Sequence, residues 1–394
     1  MNIKGFSAAA MAAGIRYKDR LDLALIYSEV PAVATGVFTT NKIKAAPLLL
    51  DMERLGQGRA QAVLINSGNA NACNGPQGME TAVAASAVAA RELGIDEKLV
   101  QVASTGVIGQ PMDLKPFEAA VPQLVRSLSP EGFDDVARAV MTTDTVPKTS
   151  ARQVEIDGVE VSLLGIAKGS GMIMPDMATM LCFIMTDAQI VFQELQAVVR
   201  RCVDLTFNRI TVDGDTSTND MVLALANGAA GNTWIDEENP QGREALEAAV
   251  LDICRDLAIQ IVADGEGATK LVTIRVIGAR DDEGAMAAAQ TIANSALVKT
   301  AFFGEDANWG RIMAALGRSG CLFDPEKVAI YFDDAQMVRD GAGLGAAAEE
   351  ACTAVLRQDR FTVTVDLQDG LGTAEVHTCD LSLDYVRINA DYRS

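Results

Sequence analysis

Ala167-Lys168-Gly169-Ser170-Gly171-Met172-Ile173-Met174-Pro175-Asp176-Met177-Ala178-Thr179-Met180-Leu181 interrupts an otherwise regular strand pattern. Before it, residues 153–165 alternate about Asp157-Gly158, a hairpin signal. After it, 181–186 is an apolar run of strand length. A lysine among glycines, a proline and an Ala-Thr step therefore join two strands. The residue order matches neither the GxxxxGK[ST] phosphate loop nor a dinucleotide fingerprint. Farther out, strands are expected over 21–27, 62–66, 270–277, 328–332 and 361–367. Helical spacing of apolar residues appears over 78–93, 193–206, 242–261, 283–298 and 346–358, and Gly94 stands where a helix C-cap would. This mixture predicts an α/β or α+β fold with sheets covered by helices. No repeat, low-complexity linker or charge block marks a domain boundary, although 394 residues suggest two or three domains, or two interlocked ones.

Composition excludes several functions. Hydrophobic residues make up 49% of the chain and aromatics only 5%, which fits a large core packed from small side chains. The formal charge is −20 and no Lys/Arg cluster exists, so nucleic acid is not an expected partner. No apolar run reaches the ~18 residues of a membrane span, and the Ala-rich start is too weakly apolar for a secretory signal. The seven cysteines (Cys73, Cys182, Cys202, Cys254, Cys321, Cys352, Cys379) are dispersed without a CxxC pair. They read as reduced core thiols of a cytoplasmic protein, and zinc is not expected. The single histidine, His377, sits in an alternating stretch and reads as a surface or strand residue. Any acid–base chemistry then needs a base other than imidazole.

Two further segments stand out. Asn66-Ser67-Gly68-Asn69-Ala70-Asn71-Ala72 looks like a strand running into an Asn/Gly turn. In Ala103-Ser104-Thr105-Gly106-Val107-Ile108-Gly109, small residues after a strand could aim backbone N–H groups at one spot, as an oxyanion hole requires, or simply form a turn. Thr179, read from the residues alone, is first a β-former entering a strand. The catalytic reading is that an N-terminal threonine supplies both a hydroxyl nucleophile and its own amine base. A chain-internal threonine reaches that state only if the preceding bond is cut.

The chain closely resembles the ornithine acetyltransferase family, also called bifunctional glutamate N-acetyltransferase, of arginine biosynthesis. The resemblance is nearly end to end. Its most specific segment is Lys168 to Leu181, joined by the two glycine-rich stretches above and by Met141-Thr142-Thr143-Asp144-Thr145. Asn208-Arg209-Ile210-Thr211-Val212-Asp213-Gly214-Asp215, Phe302-Phe303-Gly304-Glu305-Asp306-Ala307-Asn308-Trp309-Gly310-Arg311 and the tail Tyr385-Val386-Arg387-Ile388-Asn389-Ala390-Asp391-Tyr392-Arg393-Ser394 complete it.

The resemblance implies a layered αββα-like sandwich, similar in outline to the N-terminal-nucleophile hydrolases, with a smaller C-terminal α/β part. It implies self-cleavage between Ala178 and Thr179 into an α chain (1–178) and a β chain (179–394), with Thr179 as nucleophile and Thr105 and Gly106 as the oxyanion hole. Acetyl would pass from N-acetylornithine to glutamate. Thr142 (in preference to Thr143), Lys168, Thr179, Glu266, Asn389 and Ser394 would contact substrate; family tails often end in threonine where this one ends in Ser394. No cofactor is implied, and bifunctional members add acetyl-CoA as a co-substrate. Two α and two β chains would form a heterotetramer. By residue type, Lys168 suits a substrate carboxylate and Glu266 an ammonium group; without the family, Glu266 reads as an exposed loop carboxylate, and Asn389 and Ser394 as a frayed tail.

Two rivals remain at this point: a self-cleaving aminopeptidase or amidohydrolase of similar fold, which would release acetate without glutamate, and an uncleaved binding protein, which would run as one band on a gel. If no imidazole is involved, His377→Ala should keep near-normal turnover. A loss of about a hundredfold, the scale of a general base, would reinstate histidine.

Overall fold

The computed structural model describes residues 2–16, 18–174 and 180–391. Its organising element is β2 (Leu23–Phe38). β2 pairs antiparallel with β3 (Arg59–Asn69) from Leu23 to Tyr27 and, past a register shift, at Ala32 and Val33, whereas Val33 to Phe38 pair antiparallel with β9 (Met221–Ala226). The register with β3 breaks between Tyr27 and Ala32, where Glu29, Val30 and Pro31 are exposed. Proline has no N–H for a ladder. Gln61 Nε2 donates to Ser28 O at 3.1 Å, and Ser28 Oγ donates to Val30 O at 2.7 Å, so carbonyls near the break are satisfied. A strand that changes partner at such a break turns a sheet through a corner into a second layer.

One layer holds β1 (Phe6–Met11), the start of β2, β3 and β4 (Val100–Val107). The other holds the end of β2, β9, β7 (Leu181–Thr186), β6 (Val159–Lys168) and β5 (Lys148–Ile156). Strand alternation sends Ile26, Ile65 and Ala103 of the first layer against Ile166, Phe183 and Leu223 of the second. The opposite face of the first layer carries Leu25, Leu64 and Val102, covered by α2 (Gly75–Leu93) and α3 (Lys115–Arg126) through Ala85, Phe117 and Val121. On the second layer, α5 (Phe192–Leu205) packs on β2, and α6 (Pro240–Ala263) presses on β6. A Cβ at Gly165 would lie 2.4 Å from Ile253 and 2.8 Å from Leu257, so that strand–helix approach needs glycine. With α1 (Ala46–Arg54) and α4 (Phe133–Ala139) at the flanks, this unit is the αββα sandwich expected.

A second unit comprises Arg209–Gly214 and the chain from Val262 onward. Its sheet runs β13 (Ala342–Gly343), β12 (Ala335–Arg339), β11 (Ala329–Phe332), β14 (Arg360–Asp366), β10 (Leu271–Ala279), β15 (Gly372–Cys379), β8 (Ile210–Thr211). Its helices are α7 (Asp282–Ala293), α8 (Ala296–Phe303), α9 (Trp309–Gly317), α10 (Ala346–Leu356) and α11 (Leu383–Asp391). Val272, Ile274 and Val276 meet Ala288, Ile292, Ile312 and Leu356 in one core. This is the smaller C-terminal α/β part.

Several expectations are corrected. The helix expected over 283–298 is two helices, because Ser295 caps a new start by accepting from Val298 N. β3 runs on to Asn69, past the expected end at Asn66, and β4 takes in Ala103 to Val107, so strand reaches further into both glycine-rich segments than expected. The tail is helical through Asp391 rather than frayed. Cys73 is exposed and Cys321 half-buried, while the other five cysteines are buried.

β4 lies at the sheet's edge, and α1 closes that edge. Arg54 Nη1 donates to Val100 O at 2.6 Å, and Val102 N–H donates to Asp51 Oδ1 at 2.9 Å. Burial pushes the Asp51 carboxyl well above the usual range, despite the Val102 N–H and nearby Arg54. Its proton is therefore bound more tightly folded than unfolded, and that contribution to stability is lost as pH rises above the unfolded value of about 3.9. Asp51→Asn keeps an acceptor for Val102 and cannot titrate. Its stability relative to the parent, from urea unfolding, should be greater at pH 7 than at pH 4; a constant difference would refute the raised value.

Candidate functional site

Gly106 lies opposite Gly68 in the parallel β3–β4 pair. Its φ is +129°, and a Cβ would fall 2.3 Å from Gly68 C and 2.6 Å from Asn69 N. Backbone packs on backbone there, which only glycine allows. Around this point the polar groups are ordered: Ser104 Oγ donates to Asn66 Oδ1 at 2.6 Å, and Asn219 Nδ2 donates to Ala70 O at 2.6 Å and to Ser104 O at 2.8 Å. Val100, Val102 and Ser104 thus turn backbone groups outward to Arg54, Asp51 and Asn219. By strand alternation Gly106 is next on that side.

Lys168 ends β6 with its side chain 11% exposed. Its Nζ donates to Thr105 Oγ1 at 3.4 Å, joining two residues that are distant in sequence. Asp144 Oδ2 lies 4.0 Å from the same nitrogen. Asp144 Oδ1 accepts from Lys148 Nζ at 2.7 Å and from Gly169 N at 2.8 Å, and Oδ2 accepts from Thr142 N at 3.0 Å. The side chains of Asp144 and Lys148 are both fully buried. Burial alone would raise the Asp144 pKa; Lys168, Lys148 and these hydrogen bonds overcome it and hold the carboxyl at about 2.

Thr105, Gly106, Thr142 and Lys168 therefore gather in the sandwich unit. Glu266 and Asn389 form a second pair in the other unit: Asn389 Nδ2 donates to Glu266 Oε2 at 2.8 Å. Glu266 is 8% exposed, not the open loop carboxylate that its glycine-flanked sequence allowed. Ser382 Oγ fastens its turn by donating to Gly267 O at 2.6 Å, and Asp380 accepts from Thr269 and Lys270 N–H groups. His377 lies in β15 with Nδ1 3.0 Å from Thr273 Oγ1. Ala178, Thr179 and Ser394 lie outside the described residues. Both approaches to the 175–179 segment are anchored: Thr216 Oγ1 donates to Met174 O at 2.9 Å, and Met221 N donates to Met180 O at 2.9 Å. Met172, just upstream, has φ +57°, uncommon outside glycine.

Residue-type reasoning passed over Asp144, Lys148 and Asn219. Asp144 stood inside a quoted motif, but a carboxylate between threonines carries no mark of burial. Nothing local announces Asn219, whose two acceptors come from other elements.

Fold and polar cluster define a layered α/β protein whose anchored groups converge at strand ends. Comparison with known proteins makes the assignment specific. Residues 7–394 match the model of the ArgJ family. The arginine biosynthesis bifunctional protein ArgJ of Desulfotalea psychrophila is 56% identical over 394 residues, covering 100% of both chains. That of Geobacter sulfurreducens is 53% identical over 397 residues, again covering 100% of both. A crystal structure of arginine biosynthesis bifunctional protein argJ from Bacillus halodurans, 45% identical with a TM-score of 0.50, matches 53% of this chain and 98% of its own. The chain belongs to the ArgJ family.

The contact at Gly106 is testable. Gly106→Ala combines a left-handed backbone with overlap on Gly68 and should cost at least about 3 kcal/mol. Gly94→Ala, also at positive φ but with nothing within 4 Å, should cost only about 1–2 kcal/mol. Equal losses in denaturant unfolding would remove the close-approach argument.

Proposed function

We propose that this chain is an N-acetyltransferase of arginine biosynthesis that moves acetyl from N-acetylornithine to glutamate after cutting itself between Ala178 and Thr179. The observation that carries the reading is the meeting of Lys168 and Thr105 at the end of β6, the strand whose chain leads toward Thr179. Full-length membership in the ArgJ family favours transfer over the aminopeptidase and over an uncleaved binding protein.

The steps follow from the residue types. In processing, Thr179 Oγ attacks the Ala178 carbonyl, the C–N bond breaks as an ester forms, and water hydrolyses that ester to leave the Ala178 carboxylate and the free Thr179 amine. In transfer, Thr179 Oγ attacks the acetyl carbonyl of N-acetylornithine while the Thr179 amine takes the hydroxyl proton. Gly106 N–H and Thr105 stabilise the oxyanion. The C–N bond breaks, ornithine leaves with the proton, and glutamate's amine then takes acetyl from the threonine ester. Lys168 holds a substrate carboxylate with Thr142 beside it, while Glu266, Asn389 and Ser394 serve the ammonium end. Acetyl-CoA is a second donor in the bifunctional case. Left-handed Met172 supports strain near the scissile bond. The processed chains assemble as a heterotetramer of two α and two β chains in the cytoplasm; among the described residues no helix is long and apolar enough to cross a membrane.

Mass spectrometry tests both halves. Purified protein should give chains of 178 and 216 residues, the second being 394 less 178, and Thr179→Ala should stay whole and inactive. With N-acetylornithine alone, the longer chain should gain one acetyl on Thr179, cleared by glutamate. A wild-type chain that begins elsewhere defeats the cleavage assignment. Intersecting double-reciprocal plots with no trapped acetyl would mean direct transfer.

A further inference from the structure

We propose that Asp144 is a positioning residue for Lys168: its buried carboxylate holds the Lys168 ammonium beside Thr105, with Lys148 balancing the second half of the charge. The inference rests on the substrate role given to Lys168 above.

Lys168 Nζ is nearly covered, with Thr105 Oγ1 at 3.4 Å and Asp144 Oδ2 at 4.0 Å. A hydroxyl orients an ammonium but does not balance its charge; among the described residues, Asp144 is the carboxylate within ion-pair distance. The 4.0 Å separation leaves the ammonium attracted yet not locked in a short ion pair, so its protons stay directed toward Thr105 and an incoming anion. Asp144 holds Lys168 from the backbone side as well, because Oδ1 accepts from the N–H of Gly169, the next residue. Lys148 Nζ, 2.7 Å from Oδ1, makes the cluster two ammonium groups about one carboxylate. Asp144 itself touches no substrate in this scheme. It sets where the binding cation stands.

Asp144→Asn alone would strand a fully buried lysine and could fail for that reason. The decisive variant is therefore Asp144→Asn with Lys148→Met in the full-length protein, compared with Lys168→Met and with the triple substitution. If Asp144 acts through Lys168, the Asn/Met pair should raise the KM for N-acetylornithine about tenfold or more with kcat changed far less, and the triple variant should be no worse than Lys168→Met. Additive losses, or wild-type KM in the folded pair, would overturn the proposal. Asp144→Glu covers the case in which the pair melts below assay temperature: the charge stays, its position shifts, and KM should rise severalfold. A wild-type KM there would equally overturn it. Unaltered transfer in Lys168→Met would strike the substrate role of Lys168 itself, whereas transfer lost there but intact in the Asp144 variants would strike only this proposal.

Discussion

The break in β2 is the constraint from which the sandwich follows. Without it, β3 and β6 would stand far apart in one open, twisted sheet, and their ends could not share a site. With β2 paired to β3 at one end and β9 at the other, the two layers lie face to face. The end of β4 then meets the end of β6, which is how Thr105 reaches Lys168. Burial on this scale is driven by the apolar faces between the layers, but their geometry is decided by a few polar atoms: Gln61 and Ser28 satisfy the corner, and Pro31 withholds a ladder donor there.

The same economy governs charge. A chain rich in carboxylates buries Lys148 and most of Lys168, which is costly unless the ions are paired and hydrogen-bonded. Asp144 meets that condition with four polar neighbours, two ammonium groups and two backbone N–H groups. Its depressed pKa follows from those partners, since burial alone would raise it. Asp51 is the contrasting case: one backbone donor and a nearby Arg54 do not offset full burial, and its carboxyl shifts upward. Two buried aspartates in one unit thus shift in opposite directions because of their neighbours.

Much of the fold could be read from period and punctuation. β7 was expected and is found over 181–186, the Asp157-Gly158 hairpin joins β5 and β6, and Gly94 adopts the left-handed C-cap at φ +69°. What escaped was non-local. β9 is buried along its whole length, so Met221 to Ala226 show no alternation from which to infer a strand. β2 reads as a short strand because Glu29-Val30-Pro31 looks like its end; only tertiary pairing carries the strand past a proline. For the candidate site, family resemblance supplied Thr105, Gly106, Lys168, Glu266 and Asn389. Residue-type reasoning alone left each with a bland alternative. The partners that hold them, Asp144 and Asn219, depend on contacts that no local spacing encodes.

Processing, on the reading proposed above, has to await folding, and the anchors explain why. The segment carrying Ala178 and Thr179 is bounded by Ile173 and Met174, held by Thr216, and by Met180, held by Met221. Thr216 and Met221 come some forty residues later, ahead of and at the start of β9, the strand that pairs with β2 beyond the corner. An unfolded chain has neither anchor, and the proposed oxyanion donors of β4 are not yet assembled. On the same reading the nucleophile's base would be the amine that cleavage releases, while the histidine stands in β15 against Thr273. Under that proposal the general base would arise only after both layers are in place, and acyl transfer would be confined to correctly assembled molecules.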